Sequence, residues 1–350
     1  MKAVVYQKYG SPDGLHLTEM EKPAPTNEEV LIKVHAVSLN GSDREGLVGK
    51  PLYARMGGLL KPGNPILGSD IAGRVESAGK NHTEFKPGDE VFGEIPGYRG
   101  GFAEYVCTHG RTMALKPASL TFEEAAAIPQ AGVIALQGIR DKGHVQPGQK
   151  VLINGAGGSA GSFAIQLAKL YGAEVTGVDN TGKLDFMRSL GVDHVIDYIR
   201  EDFTKIGKQY DLILDLIAHR SVFAYQRALR PNGTYFCVGG SVAVMFQTLL
   251  LGPWIKRTTA KNIRVLVVPQ NRKDLISITE LCDAGKILPV IDRRYSLSEV
   301  PEALRYVAEG HAKGKVVITL ESNSNTAASN LSGRGEIILR KEMSGREYLH

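Results

Sequence analysis

The chain has 350 residues, 43% of them hydrophobic and 23% charged, with a formal net charge of +5. Its length supports more than one hydrophobic core, while the mild charge, with no basic block to track a phosphate backbone, argues against a nucleic-acid partner. Cys107, Cys237 and Cys282 are odd in number and widely spaced, which excludes a disulfide framework or thiolate zinc site and points to a reducing compartment, so a cytoplasmic protein is expected.

The amino terminus carries no charged leader followed by a long apolar core. From Met1 to about Gly110 the pattern is of strands joined by turns: Ala3 to Tyr6, Val30 to Val37, Ile71 to Ser77, Glu90 to Gly93 and Ala103 to Cys107 are short and rich in Val, Ile and aromatics. This is an all-β module, read as a partly open barrel. Thr121 and Glu124 have the spacing of a capping box and open a helix whose alanines, Ala125 to Ala127, mark the crossing into a second domain.

Strands and helices then alternate, with candidate strands at Val151 to Ile153, Glu174 to Val178, Val195 to Asp197, Leu212 to Leu214, Thr234 to Val238 and Ile263 to Val268. Six such strands make a doubly wound parallel sheet with its ligand at the carboxyl ends of the strands. The first strand runs into Gly155, Ala156, Gly157, Gly158, Ser159, Ala160 and Gly161 before a helix that continues to Tyr171. Glycines there turn the chain sharply, let a pyrophosphate sit against backbone N–H groups and let the helix, whose positive end faces the anion, close onto the strand. Asp179 ends the second strand eighteen residues after Gly161, where a carboxylate accepts hydrogen bonds from a ribose 2′-hydroxyl and repels a 2′-phosphate.

The apolar stretch Val242 to Ile255 is broken by Gln247, Gly252 and Pro253, too short and interrupted to span a bilayer, so no integral membrane protein is expected; it reads as a pocket wall or dimer contact. His219, at the end of the fourth strand of this series, reads as a solvated loop residue. After Pro289 come a strand (290–295), a helix (298–307) and a strand (315–319) that have no sheet of their own and are expected to return to the first module. Residues 322–350 form a polar spacer and charged tail without periodicity, expected to be disordered.

Several short motifs occur in order: Asn40 to Asp43, Gly68 to Gly73, Lys86 to Asp89, the run from Gly148 and Gln149 through Leu152, Gly157, Gly158, Gly161 and Gln166 to Lys169, and Gly314 to Val317. In these, over residues 1 to 321, the chain resembles the medium-chain dehydrogenase/reductase superfamily, and within it the zinc-free quinone oxidoreductases related to zeta-crystallin; Ser159 departs from the usual glycine. The resemblance implies a GroES-like catalytic domain (1–122, completed by about 286–321) and a Rossmann cofactor domain (123–285). It implies NADP(H) or NAD(H) as cofactor, a quinone or enone as small-molecule substrate, and a homodimer.

Where zinc-dependent relatives place cysteine, histidine and cysteine, this chain has Asn40, Ser69 and Gln130 or a neighbour, none a good zinc ligand, and the four-cysteine structural lobe is missing, so no metal is expected. Without zinc, either hydrogen bonds polarise the carbonyl or the acceptor is electrophilic enough to need little help, as quinones and conjugated enones are. The resemblance nominates Asn40, Ser42 and Tyr53 for the catalytic site, and Asn40, Gln130, the turn 155–161, Asp179, Asn180, Lys183, Gly239 and Lys315 for the cofactor. Asp43 and Asp70 match acidic positions near the metal of the zinc enzymes and read here as structural hydrogen-bond partners. Carboxylate chemistry at Asp179 favours NADH, whereas most such relatives are associated with NADPH, and Lys183 could reach a phosphate. A zinc-free alcohol or aldehyde reductase, and a weakly catalytic, crystallin-like NADPH-binding protein, are the alternatives.

Overall fold

The computed structural model describes residues 1–55, 57–97 and 100–320; the tail expected to be disordered lies outside them. In chain order the amino-terminal part holds β1 (Lys2–Val5), β2 (His16–Glu19), β3 (Val30–Ser38), α1 (Gly41–Val48), β4 (Asp70–Ala78), β5 (Glu90–Glu94), β6 (Tyr105–Thr108) and β7 (Met113–Leu115). Two helices follow, α2 (Phe122–Ala126) and α3 (Pro129–Leu136). The Thr121 side chain accepts the Glu124 N–H and the Glu124 carboxylate accepts the Thr121 N–H, so the spacing read from sequence makes a real reciprocal cap.

The central part alternates: β8 (Lys150–Asn154), α4 (Ser159–Leu170), β9 (Glu174–Asp179), α5 (Leu184–Ser189), β10 (His194–Asp197), β11 (Tyr210–Asp215), α6 (Val222–Arg227), β12 (Leu229–Cys237), α7 (Val242–Thr259), β13 (Asn262–Val265) and α8 (Arg272–Asp283). All six strands pair in parallel in the order β10-β9-β8-β11-β12-β13. Val151, Leu152 and Ile153 are wholly buried because helices cover both faces of such a sheet, which is why its strands read as apolar runs rather than alternating ones. Strand order reverses between β8 and β11, the place where open parallel sheets take a ligand at the carboxyl ends of their strands.

The chain then forms β14 (Ile291–Ser296), α9 (Val300–Ala308) and β15 (Lys315–Thr319). These strands join the amino-terminal sheet, whose order is β14-β15-β3-β4-β5-β7, with β6 also pairing with β3. Three hydrophobic cores result, one under the amino-terminal sheet and α9 and two on the faces of the parallel sheet.

Two strands escaped the sequence reading. β2 has no buried residue and pairs only with β1, and β7 is three residues long, so neither carries the periodic apolar signal of a strand. The sixth parallel strand stops at Val265, short of the Val268 expected. The helix expected over 298–307 begins as a 3-10 turn, Leu297–Glu299, capped by Ser296, with Pro301 in the first turn of α9.

Candidate active site

The turn after β8 has the geometry an anion needs. Gly155 takes φ +83°, and a Cβ on Gly161 would stand 2.3 Å from the Gly155 carbonyl oxygen, so packing alone forces glycine there. Gly158 is different: a Cβ there would meet only the Gly155 oxygen, at 3.3 Å, leaving its outer side open. Gly158, Ser159 and Ala160 are partly exposed, and the first-turn N–H groups of α4 have no helical acceptors, so backbone donors converge on open space. These residues fit a dinucleotide pyrophosphate.

Asp179 ends β9 and is buried beside this turn. Its carboxylate accepts the Gly157 N–H at 2.9 Å and the Asn180 N–H at 2.9 Å, and Lys183 Nζ lies 3.6 Å away. The lysine is itself buried and packs along Gly157, so carboxylate and ammonium sit side by side against the turn. Asn180 accepts the Gly182 N–H and so caps the turn at Thr181–Lys183. Gly239 lies just past β12, where its carbonyl accepts the Ala218 N–H and ties the loops after β11 and β12 together. His219 is exposed, with Nδ1 near the Ile217 carbonyl.

At the strand-order reversal sequence reasoning missed a buried group. Asp215, at the end of β11, accepts hydrogen bonds from Asn154 Nδ2 at 2.7 Å, Tyr235 Oη at 3.0 Å and the Ile217 N–H at 3.2 Å. It ties the ends of β8, β11 and β12 together, and the signal available was an acidic residue closing a central apolar strand.

A second feature is a cavity of about 700 Å³ in the amino-terminal part, lined by Ser42, Glu45, Tyr53, Asn64, Leu67, Pro96 and Gln130 among others. Ser42, on α1, and Gln130, on α3, hydrogen-bond to each other at 3.2–3.3 Å. Tyr53 is 49% exposed and donates to Glu45 Oε2 at 3.2 Å; burial and the neighbouring carboxylate push its hydroxyl up to about 12, so it stays protonated.

Behind that wall lies a buried polar cluster. Asn40 is 3% exposed, with Nδ2 donating to Ser69 Oγ at 3.2 Å and Oδ1 accepting Lys315 Nζ at 2.7 Å. Its amide is therefore turned into the protein, and Lys315 is fully buried. Asn40 holds the N-cap position of α1, but Asp43 makes the cap, accepting the Asn40 N–H at 2.7 Å and the Gly68 N–H at 3.0 Å. Asp70 lies 3.6 Å from Lys315 Nζ and accepts the Gln130 N–H at 3.1 Å. Glu94 accepts Gln130 Nε2 at 2.7 Å.

The electrostatics follow from burial. Desolvation raises Asp43 to about 7 and, with the charge of Asp70 added, Glu94 to about 8. Burial pushes Asp70 up and Lys315 down, and their mutual attraction opposes both shifts.

This donor set does not fit zinc. Asn40, Ser69 and Gln130 offer only amides and a hydroxyl, each engaged with a protein partner, and an ammonium already sits against Asn40. Among the described residues no group of three or more His, Cys, Asp or Glu side chains is placed to hold a metal ion.

A parallel sheet with a glycine turn at its reversal, joined to a β-module whose side holds an open cavity, is the architecture of two-domain dinucleotide oxidoreductases. Residues 26–118 match the model of the alcohol dehydrogenase GroES-like domain, and residues 190–318 that of zinc-binding dehydrogenases. The second match lies outside positions 40, 69 and 130 and carries no information on them. The chain is 35% identical to a 2-methylene-furan-3-one reductase of Solanum lycopersicum, covering 91% of this chain and 79% of that one. It is 33% identical to an NADPH-dependent alkenal/one oxidoreductase, chloroplastic, of Arabidopsis thaliana over the same shares. Its fold matches the quinone oxidoreductase of Coxiella burnetii with a TM-score of 0.81 and 29% identity, over 92% of this chain and 99% of that one. The chain belongs to the medium-chain dehydrogenase/reductase superfamily, among its quinone and enone oxidoreductases.

Proposed function

We propose that this protein is a zinc-independent, NAD(P)H-dependent reductase of quinones or α,β-unsaturated carbonyls. The observation that carries the reading is the pairing of an open phosphate turn with a cavity walled by Ser42, Tyr53 and Gln130, while Lys315 occupies the neighbourhood of Asn40 that a metal would need. Residues 123–285 hold the cofactor, and residues 1–122 with the returning strands hold the acceptor. Gly158, Ser159 and Ala160 bind the pyrophosphate, and Asp179 and Lys183 flank the adenosine ribose.

When bound, the reduced nicotinamide supplies a hydride, two electrons and a proton together, to the β-carbon of an enone or to a quinone carbonyl system. Ser42 and Tyr53 donate hydrogen bonds to the acceptor oxygen, where negative charge grows. The resulting enolate or hydroquinone monoanion then takes one proton from solvent or a cavity hydroxyl. A saturated carbonyl lacks this delocalisation and is a poorer acceptor.

Asp179 favours NADH, and the adjacent Lys183 softens the discrimination against a 2′-phosphate. The free thiols of Cys107, Cys237 and Cys282 support a reducing compartment such as the cytoplasm. No helix among the described residues is long and apolar enough to cross a membrane. α7 exposes Phe246, Leu249, Leu250 and Trp254 at helical spacing, which supports a homodimer.

Steady-state oxidation of NADH and NADPH against a quinone, a conjugated enone and a saturated aldehyde tests the reading. Turnover with the first two and little with the third is expected. Equal turnover of the saturated aldehyde would instead identify an aldehyde reductase, and tight cofactor binding with no turnover a binding protein.

A further inference from the structure

We propose that Lys315 is a positioning residue for the reduction, acting through the turn at Asn40 to hold Ser42 against Gln130 in the cavity wall. The proposal rests on the reading of that cavity as the acceptor site. Fully buried lysines are rare, and burying an ammonium costs several kcal/mol that an apolar side chain of the same length avoids. Lys315 is wholly buried, and its Nζ reaches Asn40 Oδ1 at 2.7 Å, the Leu39 carbonyl at 3.2 Å and Asp70 Oδ2 at 3.6 Å.

Two of those oxygens belong to the turn between β3 and α1, and Ser42 follows two residues later. The third, Asp70 Oδ2, also accepts the N–H of Gln130 in the first turn of α3. Both hydrogen-bonding residues on this side of the cavity therefore hang from one ion pair, Ser42 through the lysine and Gln130 through the aspartate. The segment holding the lysine is itself fixed to the phosphate turn. Gly314 N–H donates to the Gly157 carbonyl, and Ser159 Oγ donates to the Gly314 carbonyl at 3.1 Å. Ser159, the departure from the usual glycine, supplies that second bond.

Charge neutralisation alone would be the structural role of Lys315, since Asp43, Asp70 and Glu94 all lie within its electrostatic reach. The double variant Lys315→Met with Asp70→Asn separates the two roles. It removes a positive and a negative charge together and keeps an oxygen near Gln130 N, but deletes the grip on the turn. Melting temperature, cofactor affinity and kcat with a conjugated enone are measured for wild type, Lys315→Met and the double variant.

Lys315→Met alone is expected to be destabilised and the double variant to regain most of that loss. Its kcat remains lower by about tenfold to a hundredfold, the range a displaced catalytic geometry costs, with cofactor affinity unchanged within about threefold. Adding Ser42→Ala to the double variant costs little more, because that residue's contribution is already lost. A double variant that regains wild-type kcat with its stability, or a Ser42→Ala loss that multiplies in full, overturns the proposal. If the double variant does not fold, Asn40→Ala, which removes the lysine's side-chain handhold together with the Asn40–Ser69 hydrogen bond, is compared with Ser69→Ala, which removes the latter alone: a loss of kcat in Asn40→Ala well beyond that in Ser69→Ala supports the proposal, and an equal or absent loss overturns it. Wild-type protein without turnover on any acceptor removes the functional reading and the proposal together, a result distinct from an active wild type with unaffected variants.

Discussion

At the scale of single residues, the molecule separates groups that face ligand from groups that hold them in place. Asn40 has the residue type for substrate contact, but its place in the sequence says nothing of Lys315, 275 positions away, which takes its carbonyl oxygen. Glu94 gave no signal at all, because its importance comes from burial beside Asp70. Both Glu94 and Asp43 keep a proton in the folded protein at pH values where the unfolded chain has lost it. Folding thus takes up protons from the ordinary carboxylate range up to about pH 8, and these groups' contribution to stability falls as pH rises through that window. Glu94→Gln is expected to melt several degrees above wild type at pH 8.5 and to show no advantage at pH 4, with thermal unfolding as the readout; 1 kcal/mol corresponds to roughly 2–4 °C in a domain of about 200 residues. At Asp179, replacement by serine removes the carboxylate that would bind a 2′-hydroxyl. The ratio of kcat/KM for NADPH over NADH should rise about tenfold or more, since a hydrogen bond to a charged group is worth roughly 1.5–3 kcal/mol. The same change loosens the Gly157 N–H, so some loss of stability accompanies it.

At the scale of elements, legibility followed the strength of local signal. Of the six parallel strands, β8, β9 and β11 were readable because they are buried almost throughout, the edge strands β10 and β13 only from the alternation with helices, and the turn after β8 because its glycines sit between a strand and a helix. β2 and β7 were not, since β2 buries no residue and β7 is only three residues long. Within the glycine turn, sequence treats Gly158 and Gly161 alike, whereas their surroundings differ. Gly161→Ala drives a methyl group to within 2.3 Å of the Gly155 oxygen and is expected to lower the melting temperature markedly. Gly158→Ala meets little protein and should fold almost as wild type, yet weaken NAD(P)H binding about tenfold or more in a fluorescence titration if the proposed phosphate site lies on that open side of the turn. Equal stability losses at the two positions would contradict this division of roles.

At the scale of the whole molecule, the two sheets are tied together by the segments that cross between them. Gln166 on α4 exchanges hydrogen bonds with the backbone of Leu288, Nε2 donating to its carbonyl at 3.0 Å and Oε1 accepting its N–H at 2.9 Å. Gly314 then meets the phosphate turn just before β15 enters the other sheet. These ties hold the turn after β8 in fixed relation to a cavity whose described wall carries the hydroxyls of Ser42 and Tyr53, and the proposed function makes one central claim for it: that hydride passes to a conjugated acceptor without zinc. The direct measurement is single turnover of chelator-treated protein with nicotinamide cofactor deuterated at the transferring C4 position and a conjugated enone. The product should carry deuterium at the β-carbon, at a rate unchanged by chelator or added zinc. Loss of turnover on chelation with recovery on adding zinc, or deuterium found at the carbonyl carbon of an allylic alcohol, would contradict the account.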